Sequence, residues 1–122
     1  MIKVRALLNS LRHAWRGFKV AAEENTFRLL LTIAFAVTAL LLFLPLKSWE
    51  RISLVLATMM VLVLEILNSV FERIADLVEP KVHTYVKDIK DLMAAAVLIA
   101  SLAALVIGTV VLLPYLLAIL EQ

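Results

Sequence analysis

From Leu92 to Leu120 the chain carries no charged residue, and from Leu29 to Leu46 it carries none either. A helix rises about 1.5 Å per residue, so the shorter run makes about 27 Å of helix, close to a hydrocarbon core. The longer run crosses with tilt to spare, and Pro114 near its end kinks or frays a last turn that the span does not need. A third uncharged run, Ile52 to Leu64, is too short alone. It spans only if its helix continues through Glu65 and Asn68 to the other side. Hydrophobic residues are 64% of the 122, and the mean hydropathy is +1.02; soluble domains are about half apolar. The surplus lies in blocks, which is a membrane signature rather than that of an overfilled core. The expected fold is therefore an all-α membrane protein, a single domain over 1–122 with spans at about 28–46, 50–77 and 90–120.

Ahead of the spans, Val4, Leu7, Leu8, Leu11, Trp15, Phe18 and Ala22 recur at threes and fours, with Arg5, Arg12, Arg16, Lys19 and Glu23 opposite. This spacing predicts an amphipathic helix over about 4–23, lying in the membrane interface with Trp15 at headgroup level. The alternative is a soluble helix packed on a neighbouring domain, but the rest of the chain offers it no soluble domain. Asn25-Thr26 is the expected cap of the first span. No segment has the short apolar core and cleavage site of a removable signal peptide.

Cations set the expected orientation. Lys3, Arg5, Arg12, Arg16, Lys19 and Arg28 precede the first span, and Arg73, Lys81, Lys87 and Lys90 fall between the second and third. The turn after the first span, Pro45 to Arg51, has only Lys47 and Arg51, and the C-terminal end has none. The positive-inside rule puts the N-terminus and the 73–90 connection in the cytoplasm and the C-terminus outside, which three spans satisfy.

Against that apolar background one stretch stands out, Glu65 to Asp76. On a helix, Asn68 lies about −60°, Glu72 about −20° and Asp76 about +20° from Glu65. Three acids and an amide share one stripe, with Ile66, Leu67, Val70, Phe71 and Ile74 on the other faces. A bare carboxylate at membrane depth costs about 3 kcal/mol or more, so such a residue usually faces a partner, a cavity or a metal. Glu65 lies deepest, and Asp76 reaches water at the cytoplasmic boundary. On the third span Ala96, Ala100, Ala104 and Gly108 repeat at every fourth position, with Ser101 beside them. That stripe serves either packing within the chain or, as expected here, self-association, since three spans can hardly surround a polar site.

The chain has no cysteine, which excludes disulfides, thiolate catalysis and cysteine-bound zinc. A net charge of +2 makes no case for nucleic acid. Near one membrane boundary the chain gathers Glu24, Glu65, Asn68, Glu72 and Asp76, and close by His83, Lys87, Asp88, Lys90 and Asp91. Oxygen ligands without sulfur suit a hard cation such as magnesium. Cations around such a metal suit polyphosphate, so the set reads as a metal–nucleotide site at a lipid surface. Neither GxxxxGK[ST] nor GxGxxG occurs, so any nucleotide is held by cations, metal and helix-end backbone. Each of these charges has a plainer reading as a solvated helix end or a snorkelling side chain. That reading is weakest for Glu65 and strongest for Lys87, Asp88 and Glu79.

Glu65-Ile66-Leu67-Asn68-Ser69-x-x-Glu72, followed by Lys90-Asp91-x-x-Ala94-Ala95-Ala96-Val97-Leu98, resembles the bacterial integral-membrane diacylglycerol kinase and undecaprenol kinase family. Ala14-Trp15-Arg16-Gly17, Glu24-Asn25-Thr26-Phe27-Arg28 and Pro80-x-x-His83 support it, in order along nearly the whole chain. The resemblance implies a homotrimer of three-span protomers in the bacterial inner membrane, with composite sites between subunits. It implies transfer of the ATP γ-phosphate, with Mg2+, to the hydroxyl of diacylglycerol or undecaprenol. Carried over by position, Glu65 is the general base, and Asn68 orients it or the acceptor hydroxyl. Glu24 and Glu72 hold magnesium, and Asp76 lies on the nucleotide side. Lys90 binds phosphate, Asp91 lies on the sugar or base side, and His83 borders the nucleotide. Arg5 and His13 reach phosphate or adenine from the surface helix. Two places depart from the family pattern. Leu30 stands where some relatives carry another acid, and Met93-Ala94 where many have small residues or serine.

Two other functions compete. A small ion-coupled transporter or channel subunit also uses intramembrane acids, but it needs polar residues across the membrane, and Ile52 to Leu64 offers only Ser53 and Thr58. A structural membrane protein leaves Glu65 and Asn68 without a purpose.

Overall fold

The computed structural model describes residues 2–78 and 83–122, with Ile2 and His83 in backbone only. These residues form four helices, α1 (Ile2–Ala21), α2 (Asn25–Phe43), α3 (Ser48–Val78) and α4 (His83–Leu120). Three of them, α2, α3 and α4 from Thr84 onward, are long and apolar enough to cross a membrane. The helix of α3 does run on through Glu65 and Asn68, for 31 residues in all. The hydroxyls of Ser53, Thr58 and Thr109 donate to the carbonyls of Trp49, Leu54 and Leu105, one turn back. The helices thus satisfy these polar groups internally, as a bilayer requires. They also leave Ser53 and Thr58 committed to their own backbone rather than offered as steps of an ion path.

At the corner between α1 and α2, Ala22, Glu23 and Glu24 donate backbone N–H bonds to Phe18, Val20 and Ala21. The ring of Phe27, 1% exposed, meets Phe18 edge-on at 5.6 Å, and Phe18 stacks on Trp15 at 5.8 Å. These rings clamp the end of α1 onto the start of α2. The cap of α2 is Glu24, not Asn25-Thr26. Glu24 is extended (φ −86°, ψ 134°), and its side chain makes no capping bond. Asn25 is already helical, and its side-chain oxygen accepts instead from Arg28. Most of α1 touches little else, for Val4, Leu7, Leu8, Leu11 and Trp15 are each about 60% exposed.

The stop of α2 is written by Pro45. The residue before a proline is pushed to extended backbone, and Leu44 is extended at ψ 145°. The segment after it is less of a loop than the Pro45–Arg51 reading predicts, since α3 starts at Ser48. Glu50 there is buried rather than solvated. It accepts from the Lys47 N–H at 2.9 Å, half of a capping box, and from the Tyr115 hydroxyl of α4 at 2.5 Å. Arg51 donates to the carbonyls of Leu44 and Leu46. Around this turn Leu44, Leu46, Leu54 and Val111 form an apolar cluster at the end of the bundle far from Glu65–Asp76.

Between α2, α3 and α4 lies an apolar cavity of about 550 Å³, lined among others by Leu30, Val37, Val61, Ala104 and Gly108. The small-residue stripe of α4 is half-buried, and its Ala104 and Gly108 line this cavity beside Ser101. Those two positions look across it to residues of α2 and α3. The fit is loose, for a Cβ added at Gly108 meets nothing within 4 Å.

Candidate active site

On the inner face of α3, the buried positions Leu54, Val61, Glu65 and Ser69 follow one another at turn spacing. Glu65 is 5% exposed and Ser69 7% exposed. A carboxylate and a hydroxyl therefore occupy a seam whose earlier places are apolar. The corner between α1 and α2 supplies the missing partner. Because Glu24 does not cap its own helix, its carboxylate reaches across to α3, where the Ser69 hydroxyl donates to Oε2 at 2.6 Å. Its Oε1 faces Arg73, one turn further along α3, at 3.9 Å. The Glu24 carboxylate is thus tied, through Ser69, to the α3 face that carries Glu65 one turn away.

Asn68 is half-buried, and its amide lies 3.4 Å from Glu72 Oε1, a long contact on the exposed side of the stripe. Further towards the end of α3, Asp76 accepts from Lys90 of α4 at 2.9 Å. By axial rise this pair lies roughly 16 Å beyond Glu65. Lys90 and Asp76, separate in the sequence reading, are one ion pair that ties α3 to α4.

Other candidates are not drawn in. Arg5 and His13 lie on exposed turns of α1, and among the described residues no hydrogen bond or ion pair joins either to the acids of α3. Asp91 is exposed beside Lys90. His83 opens α4, and its side chain lies outside the described residues, as do Glu79 and Pro80. Ser69, given no role by residue chemistry, is the residue that the sequence reading missed. Its angle, about +40° from Glu65, already placed it on the stripe.

Among the described residues no three acidic or imidazole groups close on one point as an all-protein metal cage. The donors present still fit magnesium, which keeps several waters and is commonly held by one or two carboxylates together with substrate phosphates. Glu24 and Glu72 offer oxygen donors of that kind.

Comparison with known proteins agrees with the motifs. The model of the prokaryotic diacylglycerol kinase family matches residues 12–112. A diacylglycerol kinase of Synechocystis is 37% identical over 116 residues, which is 93% of this chain and 66% of that protein. The undecaprenol kinase of Bacillus subtilis is 32% identical over 115 residues, 92% of each chain. The diacylglycerol kinase of Escherichia coli is 28% identical over 101 residues, 82% of this chain and 83% of its own. The matched span runs from within α1 to the later turns of α4 and so includes Glu24, the α3 stripe and Lys90-Asp91. The chain belongs to the prokaryotic diacylglycerol kinase family.

Proposed function

We propose that the protein is a lipid kinase of the inner membrane, moving the γ-phosphate of ATP to the hydroxyl of diacylglycerol or undecaprenol. One observation carries this beyond family membership. A buried acid sits on a helix long and apolar enough to span, and one turn along from it Ser69 holds a second carboxylate, Glu24, brought across from the α1–α2 corner. Names of relatives divide between the two lipids. Both lipids place a hydroxyl at the same depth, and the surrounding side chains are generic apolar ones.

In this reading Glu65 takes the proton of the acceptor hydroxyl as the oxygen attacks phosphorus. The near-sealed position suits that task, because a lipid alcohol is met inside the bilayer and bulk water is kept from the base. Asn68, on the same stripe, orients the hydroxyl or the base. Glu24 and Glu72 hold magnesium, which when bound screens the phosphate oxygens and draws off developing charge. Lys90 reaches phosphate after exchanging its contact with Asp76, and Asp91 lies towards sugar or base. His83, Arg5 and His13 border the nucleotide. The exposed apolar stripe of α1 rests in the interface, with its cations towards the cytoplasm and lipid phosphate. The N-terminus and the α3–α4 connection are cytoplasmic and the C-terminus outside. One domain spans 1–122, and three copies form the enzyme with sites shared between neighbours. The loosely filled cavity beside Gly108 and the half-open face holding Glu72 and Asp76 support that association.

The test is direct. The full chain in mixed micelles receives labelled MgATP with diacylglycerol or undecaprenol, and label in the lipid fraction is measured. Transfer to one of them is the predicted result; transfer to neither contradicts the reading.

A further inference from the structure

We propose that Ser69 is a positioning residue for this reaction, whose hydroxyl aims the Glu24 carboxylate at the cation–nucleotide site and thereby sets divalent-cation affinity. The inference rests on the reading of Glu24 as a cation ligand.

Three features of the Glu24–Ser69 contact point to it. The first is what Glu24 leaves undone. It stands at the cap position of α2, where a side-chain oxygen usually accepts from the first turn, yet it makes no such bond. Its carboxylate leaves its own helix for a partner 45 residues away.

The second is how the hydroxyl is used. A serine has one proton to give, and two acceptors lie near it, Glu24 Oε2 at 2.6 Å and the Glu65 carbonyl at 3.1 Å. The shorter distance is that of a charge-assisted bond, so the carboxylate takes the proton. Ser69 is buried, so water does not compete for this proton.

The third is the division of labour between the two oxygens. Ser69 fixes Oε2. Among the described residues, the contact shown for Oε1 is Arg73 at 3.9 Å, beyond hydrogen-bond length, from a side chain 59% exposed. A strongly held oxygen beside a weakly held one describes a ligand oriented on one side and open on the other. Arg73 can swing away when a cation arrives, whereas Ser69 stays. Partners that orient a ligand in this way typically account for about 10–100-fold in metal affinity.

The test titrates Mn2+ into the full chain in detergent with saturating ADP and follows free Mn2+ by electron paramagnetic resonance. Ser69→Ala is expected to weaken Mn2+ binding about tenfold or more, and Ser69→Thr, which keeps the hydroxyl, to stay within about threefold. In Ser69→Ala/Glu24→Gln the serine change should add nothing, because both act through one carboxylate. Wild-type Mn2+ affinity in Ser69→Ala, with or without a lowered unfolding temperature, overturns the proposal and leaves a structural hydroxyl. Glu24→Gln in the same titration separates the two claims. If it binds Mn2+ like the wild type, the ligand assignment fails and the inference falls with it. If it weakens binding while Ser69→Ala does not, only the positioning role fails.

Discussion

Glu65 occupies the same buried seam of α3 as Val61, one turn further on, and is sealed as tightly, at 5% against 6% exposed. The position is one that packing would fill with an aliphatic side chain. In the proposed function a carboxylate there trades stability for chemistry, as is often found at active sites.

The first prediction follows from that exchange. Glu65→Leu replaces a buried carboxylate with an apolar side chain in a seam that is otherwise apolar towards Leu54. Its resistance to unfolding in detergent should equal or exceed that of the wild type, while lipid phosphorylation is lost. Denaturant titration followed by circular dichroism reads the first part and label transfer the second. A clear loss of stability would mean that Glu65 holds the fold together.

The two outer carboxylates should respond to the cation instead. Glu24→Gln and Glu72→Gln each keep shape and lose charge, so the Mg2+ concentration for half-maximal transfer should rise, by about tenfold or more. Activity measured against Mg2+ at fixed ATP checks this. An unchanged requirement in both variants counts against them as ligands.

At the far end of the bundle, Tyr115→Phe deletes the hydroxyl that donates to buried Glu50. The carboxylate keeps the Lys47 N–H but loses the bond that fastens α4 to the α2–α3 turn. Unfolding should come at lower denaturant, and Glu50→Gln/Tyr115→Phe should cost less than the sum of the single changes, since both remove one interaction. The affinity for Mn2+ should not move, because the pair lies at the opposite end of α3 from Glu72.

The spans and the stripe were legible because both are periodic. Uncharged runs announce helices, and the spacing of Glu65, Asn68, Glu72 and Asp76 needs only the helical repeat to become one face. Pairings between elements were not legible. That Glu24 swings to Ser69 depends on the Phe18–Phe27 corner and on a cap position left unused, neither of which has a local signature. Glu50 reads as a solvated turn residue because its partner is 65 positions away, just after Pro114. The α4 stripe of Ala96, Ala100, Ala104 and Gly108 shows where helices meet, but periodicity does not say whose helix fills it.

The central claim is that Glu65 takes the proton from a lipid alcohol, and one measurement addresses it most directly. Wild type and Glu65→Gln, both in mixed micelles with the accepted lipid and labelled MgATP, are followed for label in lipid, with nucleotide-dependent Mn2+ binding measured on the same samples. The account predicts a fall in transfer of at least about 100-fold, as loss of a general base entails, with Mn2+ and nucleotide still bound. Transfer by Glu65→Gln at the wild-type rate would contradict it.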